Sequence, residues 1–407
     1  LADGQRSDIA IYAPYARTFY RREGAPGADR RLGGGGAEMQ TFLAAEALRA
    51  TGLRVAHIVF PVEDPAPEEA GSGRYVERPR LPAPGPAYRL AEARNIWLAM
   101  RKADARVYVI RGSGSQLPVA ALFCAVHRSA LVFSASNDLD FDLPRLIPSR
   151  IGRRVYLGAL RSCRHLIVQT KQQEALAREL VGPEHEISQI RNFAEPPLPD
   201  EAAEPADGFV WVGRLVDYKL PMRYLALARE LPEVKFRMVT SQTLATPPEF
   251  EAEVRAEAER LSNVEFFELL PRREVLGFIR RSAAVVLTSR AEGMPNVLLE
   301  SWARGVPALS LHFDPDGVIA RHGLGLAAGG SWDDFVEGAR RLWADSELRR
   351  TLGQQAKGYV EREHSPAAVG ARWVEVLGGV LGGPAHSDRG PPGARAADRL
   401  PEDAAAD

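Results

Sequence analysis

Two glutamates eight positions apart, Glu292 and Glu300, frame the segment Ser289–Pro307, which reads S-R-A-E-G-M-P-N-V-L-L-E-S-W-A-R-G-V-P. Between them stand a flexible Gly293 and then Pro295 and Asn296, which read as the first turn of a helix. Proline suits the first helical position, because its missing N–H would have no partner there. The free N–H groups of Asn296 and Val297 then point out of the helix start, where an anion can sit. Glu292 lies in the loop beside that anion, and Glu300 about one turn further into the helix. One carboxylate can take hydroxyls near the phosphate end of a ligand, the other hydroxyls nearer its middle.

The arrangement resembles the Glu-x7-Glu signature of the retaining, nucleotide-sugar-dependent family 4 glycosyltransferases of the GT-B fold. The resemblance implies that Glu292 contacts the donor sugar and Glu300 the ribose. A second segment, Phe209–Pro221, reads F-V-W-V-G-R-L-V-D-Y-K-L-P. It brings Gly213 and Arg214 to the carboxyl end of a buried strand and Lys219 to a helix start. A guanidinium and an ammonium there stabilise the charge that grows on a departing diphosphate. The segment is similar to the family's Gly-Arg-Leu…Lys motif, which implies donor-phosphate contacts for Arg214 and Lys219. Leu220 departs from the pattern, standing where the family usually has glycine.

A third segment, Gly33–Glu38, reads G-G-G-G-A-E before an amphipathic helix. Its glycines, Gly35 and Gly36 among them, let backbone approach a phosphate or sugar closely. It resembles the family's glycine-rich loop and fails the dinucleotide fingerprint, since Glu38 occupies the third glycine position. Arg111–Gly114 fails it too, with Leu117 at that position. Many relatives place a histidine after the fourth strand of the first domain, where Ser134 stands here. Asn137, Asp138, Asp140 and Asp142 follow at once, and two readings stand: a polar turn, or a group that reaches the acceptor hydroxyl. Thr240 and Ser241 stand where relatives often have glycine, so the base pocket is expected to differ.

The elements that must position these residues alternate strand and helix twice over. Ile9–Tyr12, Arg54–Phe60, Arg106–Ile110, Ala130–Phe133, Leu166–Gln169 and Ile187–Ile190 read as buried strands. Glu38–Ala50, Tyr88–Lys102, Leu117–His127, Ile151–Cys163 and Lys171–Leu180 read as helices between them. Such alternation predicts a mostly parallel sheet covered on both faces. Ala13–Gly36 and Pro61–Pro86 are long loops. The plan restarts at Phe209–Val212 and continues through strands at Lys235–Val239, Val264–Phe267, Ala283–Leu287 and Ala308–Leu311. Helices are expected from Pro221 and over Pro248–Leu261, Arg273–Arg280 and Pro295–Arg304, with a weaker one near Gly317. Trp332–Val360 reads as one or two further helices. The expected fold class is α/β of GT-B type, two Rossmann-like domains facing across a cleft. The expected division is an acceptor domain over 1–194, a linker over 195–207 and a nucleotide-sugar domain over 208–364. The resemblance to the GT-B fold implies a crossover helix over 365–381 that returns to the first domain, and 382–407, rich in Gly, Pro, Ala and Asp, reads as a disordered tail.

Composition is that of a soluble globular chain of 407 residues. Cys124 and Cys163 lie far apart without Cys/His company, which reads as a reducing compartment and no structural zinc. The longest apolar run, Leu117–Phe133, is broken by His127 and Arg128. These features predict a cytoplasmic protein. Lys plus Arg against Asp plus Glu is 27 to 22 over residues 1–200 and 25 to 31 over 201–407, that is +5 and −6. Leu143–Gln173 has no acidic residue and seven basic ones. That stretch predicts either a solvated basic helix or contact with an anionic membrane, at its inner face, through Arg150, Arg153 and Arg154.

Taken with the resemblance, the expected activity is retaining transfer of a sugar from a nucleoside-diphosphate sugar to a glycan or glycolipid hydroxyl. Neither cofactor nor metal is expected, and nucleic acid is not an expected partner. Two rival readings are a nucleotide-sugar epimerase or hydrolase, and a non-catalytic nucleotide-sugar-binding protein.

Overall fold

Apolar runs too short for helices and punctuated by turn residues become strands buried on both faces, so the flanking helices must cover two sides at once. The computed structural model describes residues 6–21, 36–66, 72–81, 88–197, 204–241, 246–268 and 270–382. In the first domain the strands are β1 (Ser7–Tyr12), β2 (Val55–Val59), β3 (Tyr75–Glu77), β4 (Ala105–Arg111), β5 (Ala130–Ser134), β6 (His165–Val168) and β7 (Ile187–Gln189). Its helices are α1 (Gly36–Arg49), α2 (Tyr88–Ala103), α3 (Gln116–His127), α4 (Leu143–Leu146), α5 (Arg150–Ser162) and α6 (Lys171–Val181). The seven strands lie in the order β3-β2-β1-β4-β5-β6-β7. Ile9 of β1 stands opposite Val55 on one side and Val107 on the other, and both pairings are parallel. One sheet face packs against α2, α3 and α5 through residues such as Ile96, Phe123 and Tyr156, and the other against α1.

The second domain repeats the plan. It comprises β8 (Phe209–Arg214), α7 (Pro221–Glu230), β9 (Phe236–Ser241), α8 (Pro248–Glu259), β10 (Val264–Glu268) and α9 (Arg272–Arg280). After these come β11 (Val285–Leu287), α10 (Asn296–Ala303), β12 (Ala308–Ser310), α11 (Val318–His322), β13 (Gly325–Ala327), α12 (Trp332–Ala344) and α13 (Ser346–Glu363). Its six strands run β10-β9-β8-β11-β12-β13, again parallel throughout. Strand order reverses at β1/β4 and at β8/β11, and a crevice opens beyond the carboxyl ends of parallel strands at such points.

The last helix, α14 (Pro366–Gly382), leaves the second domain and lies on α1. Its buried Val369, Trp373, Leu377 and Val380 join Ala44 and Leu48 in the core of the first domain. The chain thus passes between the domains twice, and the passages touch. Ala194 N–H donates to the His364 carbonyl at 2.8 Å, and His364 Nδ1 lies 2.7 Å from the Asn192 carbonyl.

Three elements lie where the sequence pattern predicted none. The loop Pro61–Pro86 contains β3, which has only three residues and only Val76 fully buried. β13, of three residues, and α4, of four, are likewise too brief to show a period. A turn of 3₁₀ helix, Pro14–Tyr20, occupies the start of the first long loop. At α10 the expected start shifts by one residue. Pro295 is extended, with φ −63° and ψ 120°, and flanks the helix whose first residue is Asn296. The glycines Gly33–Gly35 and the chain beyond Gly382 lie outside the described residues.

Candidate active site

The carboxyl end of β8 delivers Arg214, and the 3₁₀ turn Asp217–Lys219 then swings Lys219 back over the strand end. Gly213 leaves room for this, since a Cβ there would sit 3.2 Å from Lys219 Cδ and 3.1 Å from the Trp211 ring. Trp211 Nε1 donates to Thr288 Oγ1 at 3.1 Å, and Thr288 donates to the Lys219 carbonyl at 2.6 Å, tying the loops after β8 and β11 together. Lys219 Nζ donates to Glu292 Oε1 at 2.5 Å, and Ser289 Oγ donates to the same oxygen at 2.7 Å. Both partners of this pair are largely shielded from solvent. Arg214 is exposed, its guanidinium donating to the Tyr218 hydroxyl at 3.0 Å. Arg290, beyond β11, is exposed as well. Among the described residues no carboxylate lies in ion-pair range of either arginine. Burial holds His312 below the ordinary histidine range, and the charges of Arg290 and Arg223 add to that effect. This rim is therefore a concentration of positive charge in which Glu292 is the carboxylate paired with Lys219, while the exposed Asp217 pairs with Arg145.

The helix start beside that carboxylate keeps its donors. Among the described residues no acceptor lies on the N–H of Asn296 or Val297. Glu300, deeper in α10, accepts from Arg272 at 2.9 Å, and Arg272 also holds Glu195 of the linker. Burial raises the Glu300 carboxyl above the usual range, with Arg272 pulling it back. Glu292 and Glu300 thus stand on one helix start but meet different cations, Lys219 and Arg272.

The first domain closes over this turn. Gly293 is wedged rather than flexible: a Cβ there would fall 2.5 Å from Gln169 Oε1 and 2.9 Å from the Ser136 carbonyl. Met294 N–H donates to Gln169 Oε1 at 2.8 Å, and Asn192 donates to the Met294 carbonyl at 2.9 Å and to Asn296 Oδ1 at 3.1 Å. Gln40 of α1 donates to the same Asn296 oxygen at 3.1 Å. Gly36, the first residue of α1, meets Asn296 so closely that a Cβ there would overlap its Nδ2, at 2.0 Å. The two helix starts therefore abut. Gly35 lies outside the described residues.

The acceptor-side candidates separate. Ser134 is fully buried and accepts from Arg111 at 3.0 Å, behind the cleft surface. Asn137 caps the 3₁₀ turn Asp138–Phe141, and Asp140 accepts the N–H groups of Ser113 and Ser136, so both serve the turn. Asp142 caps α4. Asp138 is different: it is buried, and its Oδ1 has no hydrogen-bond partner. Burial pushes its carboxyl up to about 6, the Gln173 amide opposes this, and Asp140, Asp316 and Glu292 add to the rise. The last two belong to the second domain, so charge from across the domain boundary acts on Asp138.

Arg111, Gln169, Asn192, Arg272 and Asp316 were not singled out from the sequence. Asp316 accepts the Lys171 N–H at 3.0 Å across the domain boundary. Arg111 is partly buried, and desolvation lowers it to about 10; it donates to Asn192 at 3.0 Å. The available signal was polar residues at or just beyond the carboxyl ends of buried parallel strands, as Arg111 and Gln169 are.

Two family models match the chain. "Glycosyl transferase 4-like domain" covers residues 35–192, and "Glycosyl transferases group 1" covers 201–359. The chain belongs to the group 1 glycosyltransferases of the GT-B fold. A structure of Anabaena Alr3699/HepE in complex with UDP and glucose matches with TM-score 0.68 at 16% identity, over 92% of this chain and 100% of that one. An Escherichia coli structure described as trehalose-6-phosphate bound with UDP-2-fluoro glucose matches with TM-score 0.65 at 12% identity, over 91% and 99%. Identities this low establish the fold of the glycosyltransferase alone. The "Glycosyltransferase 1 domain-containing protein 1" of Xenopus tropicalis is 30% identical over 118 residues, which is 29% of this chain. The matched stretch spans about a third, 34%, of that relative's length. No helix among the described residues is long and apolar enough to cross a membrane.

Proposed function

We propose that the glycosyltransferase moves a sugar from a nucleoside-diphosphate sugar to an acceptor hydroxyl with retention of anomeric configuration, in glycolipid or polysaccharide assembly. The observation that carries this reading is the Lys219–Glu292 pair set beside Arg214 and the open N–H groups of α10. A diphosphate takes Arg214, Lys219 and the helix start, and the sugar takes Glu292. The complexes with UDP and glucose and with UDP-2-fluoro glucose in similar folds support a nucleotide-sugar donor.

The acceptor oxygen attacks the anomeric carbon on the face from which the phosphate leaves. The bond from that carbon to the phosphate oxygen breaks, and the departing oxygen takes the acceptor's proton. Arg214, Lys219 and the α10 start stabilise the growing negative charge, while Glu292 orients the sugar. Asp138, on which the Glu292 charge acts, holds the acceptor hydroxyl. Glu300 takes the ribose once it releases Arg272. With two side-chain cations on the diphosphate, no divalent ion enters the scheme.

The test is turnover of labelled nucleotide sugars with and without a lipid or glycan extract, in EDTA. Transfer that requires the extract and survives chelation is the expected result. Arg214→Ala and Lys219→Ala should each lower turnover ~10²–10³-fold, the usual cost of one such electrostatic contact. Consumption of donor without acceptor would replace this reading with a hydrolase or epimerase, and binding without turnover with a non-catalytic binder. Loss of activity in EDTA restored by Mg²⁺ would overturn the metal-free scheme.

A further inference from the structure

Every exposed large hydrophobic side chain among the described residues lies on one side of one domain. They are Leu90 and Leu98 on α2, Leu122 and Val126 on α3, and Ile151 and Val155 on α5. Leu90, Leu122 and Ile151 are 79%, 62% and 76% exposed, values that leave them unpacked by their own chain. The three helices lie side by side on the same sheet face, with α3 in the middle. Trp97 of α2 meets Phe123 and His127 of α3, which fixes that neighbourhood. Along α2 the order Leu90, Arg94, Leu98, Arg101 follows helical spacing of four, four and three, so apolar and cationic residues share one stripe. On α5, Ile151, Arg154 and Val155 do the same.

Charge on this face is one-sided. α2 and α5 carry Arg89, Arg94, Arg101, Lys102, Arg150, Arg153, Arg154 and Arg161, and α3 has no charged Asp, Glu, Lys or Arg. The single acid of the three helices, Glu92, is held by the buried Arg78. A second copy of the chain is a poor occupant, because an isologous contact would set the cations of α2 and α5 against their own copies. An anionic bilayer suits both features at once. Isolated Leu, Ile and Val side chains enter the boundary of the acyl region, and the interleaved arginines meet lipid phosphates.

We propose that the α2–α3–α5 face docks the glycosyltransferase on a membrane rich in anionic phospholipid, with Leu122, Val126, Ile151 and Val155 as the inserted residues. The inference deepens the glycolipid branch of the reading given above and rests on it for purpose alone. Placement agrees with that purpose. α5 starts five residues after Arg145, which reaches across the cleft to Asp217 at 3.2 Å, in the turn that carries Lys219. A lipid-linked acceptor at the docked surface therefore lies beside the cleft mouth.

The experiment is co-sedimentation of the full chain with vesicles of phosphatidylcholine alone or mixed with phosphatidylglycerol. The protein should pellet with the mixed vesicles only, and less at high salt. Replacing the four apolar residues (Leu122→Ser, Val126→Ser, Ile151→Ser, Val155→Ser) should weaken binding at least tenfold at low salt. So should Arg94→Ser with Arg150→Ser and Arg154→Ser. Affinity for uridine diphosphate in vesicle-free buffer should be unchanged in both sets, which certifies the fold and separates this test from that of the donor site. Three results overturn the proposal. They are equal recovery in the supernatant with both vesicle types, parental binding by the apolar variant, and a concentration-dependent dimer that the apolar variant abolishes.

Discussion

Asp138 concentrates the tension of the site in one side chain. Its ionised form is disfavoured by burial and by three other carboxylates, and one of its buried oxygens is unpartnered. A folded-state value near 6 against 3.8 for the free side chain means that the native state keeps a proton the unfolded chain releases. Stability must therefore fall as pH rises from about 4 to 6, and the cost is complete at pH 7. Asp138→Asn removes that cost, so the ligand-free variant should be more stable by ~2–3 kcal/mol at pH 7 and keep only ~0.5 kcal/mol of that advantage at pH 4. Urea midpoints at the two pH values measure it. An equal advantage at both would remove Asp138 from its charged role. Turnover should fall in the same variant. The residues that carry local spacing, Arg214, Lys219, Glu292 and Glu300, were legible from the sequence. Gln169 and Asn192 were not, since the backbone they hold lies 125 and 102 positions away. Nothing local marks an amide for such a partner.

At the scale of elements, the departure at Leu220 has a physical content. Leu220 is left-handed, with φ 49° and ψ 54°, at the joint between the Lys219 turn and α7. Cβ sterics make that conformation costly for any residue but glycine. Leu220→Gly should stabilise the protein by ~1 kcal/mol, and a rise in melting temperature checks it. A fall would mean that the leucine side chain contributes more by packing than its backbone costs. The long periodic elements were readable because burial on a fixed face imposes a period. β3, β13 and α4 were not, because three or four residues hold too little pattern to separate strand from turn. The polar bridge over Glu195–Asp207 was readable from composition, whereas the return of α14 to the first domain came from the family resemblance.

Across the whole molecule, α14 makes the first domain depend on chain that follows the second. Trp373 is almost fully buried in the core that also holds Ile9, Val107 and Leu48. Trp373→Ala should cost ~3–5 kcal/mol, charged to the first domain. Calorimetry should then show an early transition for that domain ahead of an unchanged one for the second. A single transition shifted as a whole would mean that the two cores melt together.

The contact between the two passages of chain sets the mechanics of the cleft. Two separate crossings would act like the pins of a door and allow one rotation only. Here Ala194 and Asn192 of the first crossing bond directly to His364 of the second, and burial holds His364 near 4, so the link persists through neutral pH. Joined at one spot, the crossings form a ball joint, free to twist as well as to swing. The register of one domain on the other is set by Gln40, Gln169 and Asn192 on the α10 start, by Asp316 on the Lys171 N–H and by Arg145 on Asp217. A ligand bridging the α10 start and the facing strand ends would remove two kinds of freedom at once.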